Sequence, residues 1–317
     1  MPVIETRNLV KIYGGLRKKI KALDKLSIGV EEGSCVGLLG PNGAGKTTTI
    51  KILCGLLKPT EGEAYIKNIN VTKKPDKALK YIGAIVGEPQ IYPELTPKEF
   101  LTYMGKLRGM GGKTLVSRIQ EVLRIVGLEE WADMRAGKFS HGMKQRLLLA
   151  QAMLHDPEIF LLDEPLIGLD PKGIAEMRDL IINLKNEGRT ILFSSHILSE
   201  VQQICDEVAL IDKGKLLLFD RIDRLLVGRE YVRVDIRSLD PIRDEILRKI
   251  KEAEYVVSVQ RRGEKEFIVD INGDDKTVAT LVDFIVKDIG LKLVSFSPAE
   301  SILEDVYLKL IGEGDVE

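Results

Sequence analysis

The sequence predicts an α/β chain: a large unit on a mostly parallel sheet with an antiparallel subsheet and a helical insert, then a small α+β unit. Three observations carry that expectation. Near-continuous apolar runs at Cys35–Leu39, Ile159–Leu162 and Thr190–Phe193 read as parallel strands buried on both faces, and helical patterns separate them. A glycine-rich stretch, Gly40 to Thr48, joins the first run to a helical pattern. Beyond residue 229 the order of elements changes to strand, helix, strand, strand, helix, strand.

Taken in order, Ile4–Tyr13, a Gly14-Gly15 turn, Ala22-Leu23 and Leu26–Val30 suggest an N-terminal antiparallel section. Cys35–Leu39 is the first buried strand, and Thr49–Leu57 reads as a helix ended by Lys58-Pro59. Gly62–Ile66 is another short strand. Residues of about 97–155 form a helix-rich insert with three apolar stripes. Phe100, Leu101, Met104 and Leu107 make the first. Ile119, Val122, Leu123 and Val126 make the second, stopped at Gly127. Met143, Leu147, Leu148, Ala150 and Met153 make the third, stopped at Asp156-Pro157. These stripes are packing faces rather than a cofactor box. Lys213-Gly214-Lys215 then turns Val208–Asp212 back into Leu216–Phe219.

This organisation gives a first unit at 1–222, a linker at 223–228 and a second unit at 229–317. In the second unit, strands at 231–237, 255–261, 266–271 and 291–296 flank helices at 241–252 and 276–289. That βαββαβ order is ferredoxin-like. A closing amphipathic helix is expected over Ser301–Leu310, with Ile302, Val306 and Leu310 on one face and a Ser301/Glu304 capping box. It would dock on its own module or on a dimer mate. The second unit carries no phosphate or metal motif, which makes it a module for assembly rather than catalysis.

Composition narrows the class. Of 317 residues, 44% are apolar and 30% charged, as in ordinary soluble proteins with room for two cores. No uncharged apolar run approaches the length of a membrane span, and the first residues lack signal-peptide character. Cys35, Cys54 and Cys205 stand without metal spacing and read as reduced packing residues of a cytosolic protein. A net charge of −1 hides an asymmetry: residues 229–317 hold 14 Lys/Arg against 20 Asp/Glu, the rest 33 against 28. Neither a basic arm nor an aromatic–basic array is present, so no nucleic-acid partner is expected.

The stretch Gly40-Pro41-Asn42-Gly43-Ala44-Gly45-Lys46-Thr47-Thr48 is a complete G-x-x-x-x-G-K-T phosphate loop in its strand–turn–helix context. Its glycines permit a tight turn whose N–H groups converge on phosphate oxygens, and the helix start adds a favourable dipole. Lys46 is expected at the β- and γ-phosphates, and the Thr47 hydroxyl on Mg²⁺. Asn42, Gly43, Gly45 and Thr48 complete the cradle.

With these landmarks, residues 4 to about 222 resemble an ATP-binding cassette subunit, of the type-2 multidrug, antibiotic or ion exporter kind. The resemblance implies a P-loop NTPase fold, ATP and Mg²⁺ as cofactors, and further site residues. Tyr13 matches the aromatic residue that stacks on adenine. In Ile159–Pro165, Asp163 matches the Mg²⁺ ligand and Glu164 the general base. Phe139–Arg146 resembles the signature peptide; Ser140 and Gly142 would contact the γ-phosphate bound by the opposite subunit. His141 within it departs from the common pattern and reads as a tolerated surface substitution. Asp170, in Gly168-Leu169-Asp170, matches the D-loop and is also a plausible helix cap before Pro171. His196 matches the switch histidine. The Q-loop region Ile82–Gln90 departs: flank alignment puts the usual glutamine or glutamate on Gly87, so its role on metal and water falls on Glu88 or Gln90 after a shift, or is unfilled.

The resemblance therefore implies an ATPase acting as a head-to-tail cassette homodimer. It would power export through a separate multi-span permease and sit peripherally on the inner face of the cell membrane. Glu88, Tyr92 and Phe100 are the expected permease contacts. Two alternatives stay open: a soluble cassette ATPase with a regulatory or nucleic-acid-associated role, and a non-hydrolysing ATP-binding assembly protein. The presence of both Glu164 and His196 conflicts with the second.

Overall fold

Alternating burial and tight turns build the N-terminal sheet, and continuous apolar runs build the one beneath the phosphate loop. The computed structural model describes residues 1–14, 19–87, 91–227 and 232–298. The chain divides into two compact units, Met1–Ile222 and Asp223–Glu317. The first opens with β1 (Ile4–Tyr13), β2 (Ile20–Val30), β3 (Cys35–Leu39), α1 (Lys46–Leu53), β4 (Glu61–Ile66) and β5 (Ile69–Asn70). It continues with α2 (Pro75–Ala78), β6 (Ile82–Ile85), and the insert helices α3 (Pro97–Leu107), α4 (Gly112–Ile125) and α5 (His141–Met153). Then come β7 (Ile159–Asp163), α6 (Pro171–Asn186), β8 (Thr190–Ser195), α7 (Leu198–Ile204), β9 (Glu207–Asp212) and β10 (Lys215–Arg221).

One sheet, in the order β2-β1-β4-β5, is wholly antiparallel. The other runs β10-β9-β3-β8-β7-β6, with β10 the antiparallel edge and the rest parallel. Every residue of β3, β7 and β8 is buried, as the continuous apolar runs require. Leu38, Ile50, Ile52, Leu161 and Leu192 share one core with Leu9, Leu23 and Leu26 of the antiparallel sheet.

Two element expectations need correction. β6 was not foreseen as a strand, because Gly83 and Ala84 dilute its short apolar run; parallel pairing with β7, Ile82 beside Ile159, supplies what local propensity lacks. Helix α1 starts within the phosphate loop, at Lys46, and stops at Leu53 rather than at Lys58-Pro59. Gly55 takes φ 68, its N–H donates to the Ile52 carbonyl at 2.9 Å, and the Leu56 N–H donates to that of Lys51 at 3.0 Å. This Schellman closure ends the helix before proline is reached.

The insert helices are capped by their own sequence. Thr96 Oγ1 accepts from the Glu99 N–H at 3.2 Å, Glu99 Oε2 accepts from the Thr96 N–H at 2.8 Å, and Pro97 holds the first helical position. Phe100, expected at a permease surface, is fully buried and supports that face from beneath. After α5, the His155 Nε2 lies 3.0 Å from the Ile82 carbonyl of β6. Burial, aided by the Arg108 charge, lowers its pKa from 6.5 to about 4. Between those values the unfolded chain binds the extra proton, so stability falls as pH drops from 6.5 toward 4. Denaturant titration across that range should show a shallower pH slope for His155→Gln than for the wild type; equal slopes would remove His155 from the account.

Residues 222–227 form the short helix α8 (Ile222–Val227). The second unit then follows as β11 (Val232–Ser238), α9 (Asp244–Lys251), β12 (Val256–Arg261), β13 (Glu266–Ile271), α10 (Asp275–Asp283) with a π-helical turn at Phe284–Asp288, and β14 (Leu293–Pro298). Its sheet is antiparallel in the order β12-β13-β11-β14, the ferredoxin-like arrangement. Val234, Ile236, Phe267, Val269, Leu281 and Ile285 form its core. Within the sheet Arg233 opposes Asp270 and donates to both its oxygens, at 2.6 and 3.1 Å, while Ser258 Oγ donates at 2.7 Å. The closing helix expected at Ser301–Leu310 lies outside the described residues.

Candidate active site

Parallel pairing brings the C-terminal ends of β3, β7 and β8 to one edge, with Leu39 beside Ser195 and Asp163 beside Ser194. Ligands of open α/β sheets bind at such an edge. From β3 the chain enters Gly40–Gly45 and turns directly into α1. Gly45 has φ 111, and a Cβ there would stand 2.7 Å from the Ala22 carbonyl oxygen, so only glycine fits. The loop is pinned from the β9–β10 turn: the Gly214 N–H donates to the Ala44 carbonyl at 3.0 Å, and the Asp24 N–H to that of Gly214 at 2.9 Å. Asn42 and Gly43 are exposed at its crest. The first-turn N–H groups of Lys46, Thr47 and Thr48 have no acceptor within α1, which leaves donors and a positive helix end for an anion. Tyr13 Oη lies 3.4 Å from Thr48 Oγ1, so the half-exposed ring stands beside the loop.

Lys46 is buried, and its Nζ donates to the carbonyls of Gly40 at 2.6 Å and Pro41 at 3.1 Å. It also pairs with Glu164 Oε1 at 3.1 Å. Glu164 Oε2 lies 2.9 Å from His196 Nδ1, so one carboxylate spans ammonium and imidazole. Asp163 Oδ1 accepts from Thr47 Oγ1 at 3.0 Å and from Ser194 Oγ at 2.8 Å. Adjacent residues thus point differently: Asp163 toward the loop hydroxyl, Glu164 toward Lys46 and His196. The Glu164 backbone is left-handed, φ 48, and its N–H donates to Ser194 Oγ at 3.0 Å.

Ser194 is a site residue that motif reading missed. One fully buried hydroxyl holds the Asp163 carboxylate and the strained Glu164 backbone together. Its only sequence signal is a Ser194-Ser195 pair closing an otherwise apolar strand. Ser195 Oγ in turn donates to Glu200 Oε2 at 2.5 Å. Burial raises the Glu200 pKa; the Ser195 bond opposes the shift, and the nearby Glu164 charge adds to it.

The other predicted residues stand at helix starts. Ser140 caps α5, its Oγ accepting from the Met143 N–H at 3.2 Å, and Gly142 lies in the first turn. Asp170 caps α6 through the Gly173 N–H at 3.1 Å, with Pro171 next. None of the three is bonded to the Lys46–Glu164–His196 chain. His141 is exposed, and its Nε2 lies 3.1 Å from the Ile167 carbonyl, tying the start of α5 to the loop before Asp170. A cavity of about 610 Å³ is lined by Thr47, Asp163, Glu164, Gly87, Ile167, Gly168 and, from α5, His141, Lys144 and Gln145. Glu88 and Gln90 lie outside the described residues. Cys35, Cys54 and Cys205 are buried free thiols.

The oxygens of Thr47 and Asp163 are hard donors suited to Mg²⁺. Among the described residues no cluster of three or more His, Cys, Asp or Glu could hold a metal alone. An ion here would take its remaining oxygens from a nucleotide and water, as Mg²⁺ does in phosphoryl-transfer sites.

Residues 23–167 match the family model described as ABC transporter. The bacitracin transport ATP-binding protein BcrA of Bacillus licheniformis is 40% identical over 323 residues, 99% of this chain and 99% of that protein. The chain belongs to the ABC transporter ATP-binding proteins. Another such relative, BcrA of Enterococcus faecalis, is 35% identical over 99% of this chain and 98% of its own. Among solved ABC cassettes, a dimeric post-hydrolysis state bound to ADP and Pi is 28% identical with a TM-score of 0.63, covering 69% of this chain and 98% of that one. The ATP-binding subunit of an ABC transporter is 30% identical with a TM-score of 0.62, covering 70% and 91%. As an ABC ATP-binding protein the chain is an ATPase of ATP-driven transport, and its family implies dependence on ATP and Mg²⁺. Among the described residues no helix is long and apolar enough to cross a membrane.

Proposed function

We propose that this chain is the ATPase of a type-2 exporter of the multidrug, antibiotic or ion class, acting as a head-to-tail homodimer on a separate multi-span permease. The observation that carries the catalytic part is the contiguous chain Lys46–Glu164–His196 beside the Thr47–Asp163 pair. The exporter part is supported by end-to-end alignment with two bacitracin transport ATP-binding proteins, which extends through the second unit.

When bound, Mg²⁺ supplies positive charge against the phosphate oxygens. Lys46 leaves Glu164 and the loop carbonyls for the β- and γ-phosphates, while the α1 N-terminus and the loop N–H groups hold the same oxygens. Thr47 and Asp163 offer the ion its protein oxygens. Freed of its ammonium, Glu164 accepts the proton of the attacking water, and His196 fixes the carboxylate from its other side. Tyr13 offers a face to the adenine. Ser140 and Gly142, at the positive end of α5, serve the nucleotide held by the second protomer, and Asp170 crosses to that protomer's loop. The His141–Ile167 contact supports this reading, because it couples signature and D-loop within one subunit.

The permease surface is read at α3. Tyr92 and Tyr103 are exposed and meet edge to face at 5.9 Å, with Leu107 exposed one turn further on. Buried Phe100, 6.5 Å from Tyr92, backs them. Such a patch suits an apolar helix of the permease, which would hold the cassette peripherally at the inner membrane face. Co-expressed with a six-span permease and solubilised in detergent, the chain should copurify with it, and Tyr103→Asp should release it. Full turnover with no membrane partner captured would favour a soluble regulatory ATPase.

A further inference from the structure

Gln145 sits in the second turn of α5, only 2% exposed, and its Oε1 has no hydrogen-bond partner in the structure. Buried polar atoms are nearly always paired, and an apolar residue of similar volume would avoid the desolvation altogether. Among the described residues this oxygen has no partner, and an orphan of this kind calls for one. Its position suggests which one. Gln145 lines the same cavity as Thr47, Asp163 and Glu164, the three residues that face phosphate, metal and water.

Gly87 lines that cavity too, at the position where flank alignment expects a side chain for metal and water. It has φ 71, and a Cβ built on it meets no heavy atom of the described residues within 4 Å. Glutamine at position 145 adds a neutral oxygen to the wall where Gly87 itself offers none. Neutrality matters. Asp163 already supplies a negative charge, and Glu164 is committed to Lys46 and His196. A further carboxylate would repel incoming phosphates, whereas a carboxamide oxygen accepts from a metal-bound water without adding charge.

We propose that Gln145 is a positioning residue for the hydrated metal of the nucleotide site, its Oε1 accepting a hydrogen bond from metal-bound water in place of the side chain Gly87 lacks. This rests on the nucleotide-site reading above. Partners that orient a metal's ligands change metal affinity about 10–100-fold when lost.

The test uses the full chain with Mn²⁺ as the paramagnetic probe. Half-saturating Mn²⁺ for ATP binding is measured in the Glu164→Gln background, where turnover does not consume the nucleotide. Melting temperature without nucleotide is recorded alongside. Gln145→Leu should raise half-saturating Mn²⁺ about tenfold while the nucleotide-free melting temperature holds or rises, since an apolar group replaces the orphan oxygen. Gln145→Asn, which keeps a neutral amide acceptor, should lose less than Gln145→Leu and stay within about threefold of its parent. Half-saturation that is unchanged in Gln145→Leu, with any shift confined to melting, overturns the proposal and leaves Gln145 a packing residue. Absence of metal-dependent ATP binding in the parent protein overturns the nucleotide-site reading itself, so the two failures are distinct.

Discussion

Glu164→Gln should bind MgATP with near wild-type affinity and turn it over at least about 10²-fold more slowly. The carboxylate at this position touches Lys46 at 3.1 Å and His196 at 2.9 Å, and the amide keeps an oxygen for the first and a hydrogen-bonding group for the second. Folding and nucleotide contacts therefore persist; basicity toward water is what disappears. The substitution also removes the anion that holds Lys46 in the free enzyme. Lys46 then moves to phosphate with less opposition, and ATP should trap a long-lived dimer visible by size-exclusion chromatography. Phosphate release at the wild-type rate by the purified, assembled variant would remove Glu164 from its assigned role.

Lys46→Ala should abolish turnover and weaken nucleotide binding, whereas Ser140→Ala should spare monomer binding and impair ATP-induced dimerisation. The difference follows from where the two side chains stand. Lys46 is 5% exposed inside the phosphate loop and is the cation bonded to both that loop and Glu164. Removing it deletes the charge that meets the phosphates and leaves Glu164 with only His196. Ser140 caps α5 and makes no bond to the phosphate loop, so its loss weakens one helix by about 1 kcal/mol and, in the proposed dimer, would strip a donor from the partner's nucleotide. Binding isotherms on the monomer and sizing with ATP separate the two. An equal loss of monomer affinity in both variants would count against a signature peptide acting in trans.

Much of the site was legible because its chemistry is written in short segments. Gly40–Thr48 is contiguous, and strand, turn and helix follow from its local pattern. Asp163, Glu164 and His196 sit at the ends of apolar strands whose burial on both faces could be read directly, and parallel pairing then brings those ends together. The described part of the second unit was also readable, since Asp240-Pro241, Arg262-Gly263, Asn272-Gly273 and Gly290 mark most of its element boundaries. Where reading failed, local signals were weak or misleading. β6 is too short and too rich in small residues to announce itself before β7 pairs with it. Phe100 was placed at a surface by resemblance alone, but its position on α3 turns it inward.

By itself, the sequence determined the phosphate loop, the carboxylate pair, the Asp170 cap and most of the strands, because each depends on neighbours within a turn or a single strand. Tertiary structure alone decided which groups those residues meet. Ser194 reaches Asp163 across 31 residues and His141 reaches Ile167 across 26. The same packing leaves the Gln145 oxygen buried without a partner among the described residues, on the cavity shared with Thr47 and Asp163. Such contacts follow from strand register and helix docking, which the summed burial of a whole core sets, and no residue in them carries a local mark of the partner it will find.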